Sequence, residues 1–209
     1  MQTVERNETP VPAFVWPTVA IQLSRPGESE NSLFSQIEKS CPMGRGQRCL
    51  VLAPRHDAVS TFLSELCERI TRLNPEVETR LMQADKECSP ADVARLVATA
   101  QRGVQDGRHS VLIVDSLNAC AIIADKEDAL QGCVRIFGSA QATEHGGTLT
   151  VVALAINPPT TDLDRKVLQL FQGSGNMELA LRMDVAHNRL VLDGDRSGTK
   201  HAERIRSNK

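Results

Sequence analysis

Residues 48–73 read RCLVLAPRHDAVSTFLSELCERITRL: an apolar run of strand length, a short loop containing Pro54, then a helical repeat. RCLVLA (48–53) fits a strand buried on both faces. STFLSELCERITRL (60–73) places Phe62, Leu63, Leu66, Ile70 and Leu73 on one helical face. Asn74-Pro75 ends that helix, because the residue before a proline is pushed out of the helical region.

The same alternation continues downstream. VETRLM (77–82) predicts a strand, and SPADVARLVATAQRGV (89–104) a helix with Ser89 as N-cap and Pro90 at its first position. HSVLIVDS (109–116) is the clearest buried strand and closes on Asp115. EDALQGCVRIFGSAQAT (127–143) reads as a helix, His145-Gly146-Gly147 as its exit, and TLTVVALAI (148–156) as another buried strand. LDRKVLQLF is then helical, while MELALRM and NRLVLDG read as adjoining strands with a turn at residues 186–188. Upstream, LFSQIEK predicts a short helix, and residues 1–13 are a polar, flexible lead. Strands separated by helical segments of this length give an α/β fold with a mostly parallel sheet flanked by helices. A single domain over residues 14–206 is expected.

Composition narrows the function classes. The chain has 209 residues, 41% of them hydrophobic, and a net charge of −2, which argues against a protein built to coat nucleic acid. The terminal stretch RSGTKHAERIRSNK is locally basic and reads as a solvated tail. There is no apolar run long enough to span a bilayer and no signal-peptide pattern at the N-terminus, so a cytoplasmic protein without membrane partners is expected. Six cysteines (Cys41, Cys49, Cys67, Cys88, Cys120, Cys133) lie scattered with no CxxC pair, a pattern of reduced and mostly buried thiols with no metal site.

Ligands of an α/β sheet bind at the carboxyl ends of its strands, which directs attention to the loops after Ala53, Met82, Asp115 and Ile156. Strand, loop and helix at 48–73 have the layout of a phosphate-binding loop. Such a loop needs glycines so that backbone N–H groups can face phosphate, a lysine for its charge and a hydroxyl for the metal. In APRHDAVST only the hydroxyl is present, as Ser60 or Thr61. Asp57 places negative charge where the anion would sit, and His56 brings positive charge to a phosphate only when protonated. Asp115 stands where a nucleotide hydrolase keeps its magnesium-organising acid, although a strand-ending aspartate is also an ordinary turn cap.

Other segments carry a resemblance. PMGRGQRCLVLAP (42–54), FGSAQATEHGGTLTVVA (137–153), FQGSGNMELALR (171–182) and DRSGTK (195–200) occur in the order found in transcription termination factor Rho. The chain resembles that family, hexameric RNA-dependent ATPases with a RecA-like motor, over residues 14–206. The resemblance implies a RecA-like P-loop NTPase fold, shortened by about one strand-helix unit, judged against the ~30 residues such a unit occupies. It also implies a remnant nucleotide pocket at Pro54, His56, Ser60, Thr61 and Asp115, and subunit-interface candidates at Glu178, Arg182 and Arg196.

Departures from the family pattern are concentrated in the chemistry. Laid on the family's loop, Ala58 stands for the last glycine, Val59 for the essential lysine and His56 for an earlier lysine, while Ser60 keeps a hydroxyl. Cys88 takes the place of the catalytic glutamate, or that residue falls in the gap. The arginine finger is expected at Met183, one residue past Arg182, and Gln141 occupies another arginine position. NPPTTDLD (157–164) lacks the lysine of an RNA-gripping loop, the stretch between Asp115 and Phe137 is short where the family has its pore loop, and no room is expected for the OB RNA-binding domain or the helical region that follows DRSGTK.

These losses imply no catalytic residues, no expected cofactor and doubtful RNA binding. The expected role is a non-catalytic binding or assembly module connected with transcription termination, whose partner is a full-length Rho ring or a second copy of itself. The alternative is an RNA-dependent ATPase with an unorthodox P-loop that binds Mg-ATP through His56, Ser60 and Asp115. A folded remnant without present function is the third reading.

Overall fold

A computed structural model describes residues 16–83, 90–123, 126–143 and 146–205. The flexible lead expected at 1–13, the proposed N-cap Ser89 and Cys88 lie outside the described residues. The strands are β1 (Arg48–Ala53), β2 (Val77–Gln83), β3 (His109–Asp115), β4 (Gln141–Ala142), β5 (Thr148–Ile156), β6 (Met177–Asp184), β7 (Arg189–Leu192) and β8 (Gly198–Thr199). The helices are α1 (Leu33–Ser40), α2 (Asp57–Leu73), α3 (Pro90–Gln105), α4 (Leu117–Ile123), α5 (Lys126–Gly138) and α6 (Asp162–Phe171). The sheet runs β2-β3-β5-β1-β6-β7, with β4 added on β5 and β8 on β6. Its first five strands pair in parallel, and β7 closes the far edge antiparallel to β6.

The fully apolar runs became the central strands. All nine residues of β5 are buried, as are five of the six in β1, because both strands have neighbours on each side and helices above and below. Side chains alternate across the pleat: Cys49, Val51 and Ala53 pack with α1 and α2, while Leu50 and Leu52 pack with α3 to α6. The helices divide as right-handed crossovers require. Helix α2 carries the chain from β1 to the β2 edge on one face; α3, α4 with α5, and α6 carry it back on the other.

Two expectations are corrected. The helix expected over 127–143 stops at Gly138, and Gln141–Ala142 pair with β5 as β4 instead. Helical periodicity there was extended through a segment whose backbone finds a sheet partner. A helix that was not expected, α4, follows Asp115 directly; at seven residues it is too short to show a readable period.

The connector before β1 is anchored on α2. Phe34 of α1 stacks on Phe62 with ring centroids 5.4 Å apart, a contact that adds about 0.5–1.5 kcal/mol to their burial. The guanidinium of Arg69, a buried residue, lies 4.0 Å above the Phe34 ring and bonds Glu28 at 2.7 and 3.0 Å and Glu65 at 2.8 Å. The hydrogen bond from Arg69 is the main cause that pulls the Glu28 carboxyl from its ordinary 4.5 down to about 2. A depressed carboxylate stabilises the fold fully above its unfolded value, and that contribution is lost as pH falls through the folded one. Arg69→Gln is therefore expected to raise the midpoint of acid unfolding, followed by far-ultraviolet circular dichroism, by about one pH unit.

Candidate functional site

Neighbouring strands β1 and β5 send their following helices to opposite faces of the sheet, α2 to one and α6 to the other. The chain therefore parts at the carboxyl ends of this pair and leaves a crevice, the position where open α/β sheets bind ligands. Pro54, Arg55 and His56 form its rim after β1, Asn157–Thr161 its rim after β5, and Asp115 with Ser116 stands beyond β5 at the end of β3.

His56 is the N-cap of α2. Its backbone is extended, and Nδ1 accepts the Ala58 N–H at 3.1 Å, while its carbonyl accepts the Val59 N–H at 2.9 Å. The helix thus starts at Asp57, three residues earlier than its apolar periodicity indicated, with Asp57 in the first turn, where negative charge is favoured. Donors that a phosphate-binding helix leaves free for its anion are here taken by the chain itself. Val59 is 2% exposed and packs into the core with Phe62 and Leu63.

Of the two hydroxyls, Ser60 faces the acid: its Oγ donates to Asp115 Oδ2 at 2.9 Å. Thr61 turns away and its Oγ1 donates to the Asp57 carbonyl at 3.3 Å. The structure thereby brings Ser60 and Asp115 together across the sheet from segments far apart in sequence, with His56 and Pro54 on the same rim and Thr61 outside the pair.

The residue that organises the crevice, Asp164, was not anticipated. It is 1% exposed and is the third residue of α6, where it forms a reciprocal capping box with Thr161. Its Oδ2 accepts from Thr160 N at 3.0 Å, Thr160 Oγ1 at 2.8 Å and Thr161 N at 3.0 Å. Its Oδ1 accepts from Asn118 Nδ2 at 2.8 Å and from Arg55 at 3.1 Å. Burial works against the charge, yet the hydrogen bonds from Thr160 and Thr161 outweigh it and hold the carboxyl well below the usual carboxylate range. Asn118 extends the network, its Oδ1 accepting the Ile156 N–H at 3.0 Å. One carboxylate thus ties together the segments after β1, β3 and β5. The signal present in the sequence was the Thr161-x-x-Asp164 capping pattern; the long-range partners Arg55 and Asn118 had none.

From the same rims toward β6, a groove of about 380 Å³ is lined by Pro54, Asn157, Pro158, Arg182, Met183 and Arg196 among others. Arg182 and Arg196 are exposed there, while Glu178 lies at the opposite end of β6, paired with Gly198 and accepting the Gly173 N–H. Arg196 lies between the two, since it lines this groove with Arg182 and a second one with Glu178. Among the described residues no group of His, Cys, Asp and Glu has metal-binding geometry. No helix among them is long and apolar enough to cross a membrane.

No protein-family model matches the chain. It is similar to transcription termination factor Rho of Pseudomonas fluorescens biotype C, at 27% identity over 94% of this chain and 56% of that protein. Rho of Neisseria gonorrhoeae is 29% identical over the same shares. The chain spans about half the length of the curated relatives it matches. The first alignment extends over 241 residues although the chain has 209, so the relative carries segments with no counterpart here, in line with a shortened fold. A solved ATPase from the type III secretion system of pathogenic bacteria shares the fold, with a TM-score of 0.66 and 12% identity over 97% of this chain and 68% of that one.

Proposed function

We propose that this chain, a relative of transcription termination factor Rho on a RecA-like fold, is a non-catalytic module with a degenerate nucleotide site that works by association with other subunits. The observation that carries this reading is that the crevice is closed from within: Arg55 reaches across it to Asp164 and His56 caps the helix that a phosphate would cap. The replacement of the loop's glycine and lysine by Ala58 and Val59 points the same way, since an arginine finger alone is worth ~10³ to 10⁵ in phosphoryl-transfer rate and the lysine adds to it. The exposed Arg182 and Arg196, rimming the groove beside Pro54, supply charge for a subunit contact, with a full-length Rho ring or a second copy as partner. A role connected with transcription termination follows from that association.

Titration calorimetry with Mg-ATP is expected to give no binding heat up to millimolar nucleotide, weaker than about −4 kcal/mol. Co-purification with the host's full-length Rho is expected at micromolar concentration. Absence of association with both Rho and itself would overturn the assembly reading. A second reading rests on the Ser60–Asp115 hydrogen bond, which keeps a hydroxyl and an acid paired as a magnesium site would use them. In that case the domain is an RNA-dependent ATPase with an unorthodox P-loop, and Mg-ATP binding that disappears in Asp115→Ala would establish it.

A further inference from the structure

The sheet ends at β2. Its residues pair in unbroken parallel register with β3 along one side, and among the described residues no strand pairs with the other side. A free edge presents a row of unpaired backbone N–H and C=O groups that template a further strand, and proteins ordinarily guard it with proline, a bulge, lysines or a very short strand. VETRLMQ (77–83) is seven residues long, holds no proline or lysine, and skips no residue in its register with β3. The two charges it carries, Glu78 and Arg80, are of opposite sign and about half exposed, and they pair with each other, Nε to Oε1 at 3.0 Å. They therefore repel no second copy of the same strand.

We propose that the free edge of β2 docks a second copy of this chain, strand against strand and antiparallel, about a two-fold axis at Thr79. This names a surface for self-association and rests on the association reading above. Charge complementarity selects the register. Directly opposed residues of an antiparallel pair lie on the same face of the sheet. Glu78 and Arg80 share the face of α3, where they line a recess with Leu96 and Thr99, while Val77 and Leu81 pack with the core on the α2 face. A two-fold at Thr79 sets Glu78 against Arg80 of the second copy, twice by symmetry, and Val77 against Leu81. Centring the pair on Glu78 or on Arg80 instead would set like charges face to face. Thr79 itself is part-exposed, yet its Oγ1 is buried with no hydrogen-bond partner among the described residues. A turn about χ1 gives that hydroxyl its own counterpart in the second copy.

The edge at β2 and the groove with Arg182 and Arg196 are separate surfaces. β2 ends the sheet on one side, and β6, which carries Arg182, lies toward the other, with β3, β5 and β1 between them. Pairing through β2 leaves the groove open to a different subunit, so the two contacts can fail independently.

Light scattering on the full chain between about 1 and 200 µM, the range of a small interface, is expected to show the mass rising from one copy to two. Arg80→Glu sets a carboxylate against Glu78 in both symmetric pairs and is expected to weaken association about tenfold. Combining it with Glu78→Arg restores opposite charges in the same register and is expected to recover the dimer, a rescue that a folding defect would not give. Thr79→Cys is expected to cross-link two copies through position 79 on mild oxidation, as shown by peptide mapping, because directly opposed Cα atoms lie within disulfide reach. A single-copy mass throughout, a dimer indifferent to Arg80→Glu, or a double variant that stays dissociated would each overturn the proposal. A dimer lost in Arg182→Ala but kept in Arg80→Glu would sink it while leaving the association reading intact. A single-copy mass with Rho co-purification lost in Arg80→Glu would place a strand of a different protein on this edge, and also overturns the assignment to a second copy.

Discussion

Replacing Asp164 with alanine is expected to cost about 3–5 kcal/mol of folding stability, the penalty for removing one member of a buried charged network. The carboxylate is 1% exposed and accepts from Thr160, Thr161, Asn118 and Arg55. Its removal leaves several donors facing a void, each costing about 1–3 kcal/mol when unsatisfied and buried. Asp164→Asn keeps the shape but turns an NH₂ group toward donors, so it should recover only part of the loss. Arg55→Ala should cost within about 1 kcal/mol, because that side chain is 57% exposed and the carboxylate retains its other partners. Urea unfolding of the three variants checks the order. If Arg55→Ala were as damaging as Asp164→Ala, the charge pair and not the buried hydrogen-bond hub would be holding the crevice.

Gly147→Ala is expected to cost a similar amount, about 3–5 kcal/mol, by steric conflict. A Cβ at Gly147 would lie 1.9 Å from the Val104 carbonyl oxygen and 2.8 Å from its carbon, and both belong to backbone that cannot swing aside as a side chain does. Relief would require β5 and the end of α3 to move apart, opening the buried packing of Val104 with Leu149. Gly132→Ala is the matched control, since nothing lies within 4 Å of its added carbon. In the interior of α5 that change should stabilise by up to about 1 kcal/mol, as alanine replaces glycine in a helix. Denaturation midpoints at equal slopes separate the two, and a tolerated Gly147→Ala would mean that the contact with α3 is looser than its geometry.

The sheet was legible in the chain because its signals are local. RCLVLA and TLTVVALAI became β1 and β5 with the bounds their apolar runs marked, and HSVLIVD became β3. An unbroken apolar run between turn signals has few other ways to bury itself. Helix ends were less legible. His56 capping α2 through its own ring moved the start of that helix to Asp57, and the pairing of Gln141–Ala142 with β5 shortened α5. Both are contacts that periodicity does not contain.

Apolar patterning determined that this chain is an α/β protein, the order of its motifs carries its similarity to Rho, and the spelling APRHDAVST determined which side chains are available at the loop. Tertiary structure alone decided how those side chains are used. It chose Ser60 over Thr61 as the partner of Asp115, sent Val59 into the core, and bridged the β1–β5 crevice from Arg55 to Asp164. The physical reason is range: apolar patterning acts over a few residues and fixes elements, whereas buried charges and amides are satisfied by whichever distant groups the crossovers deliver beside them.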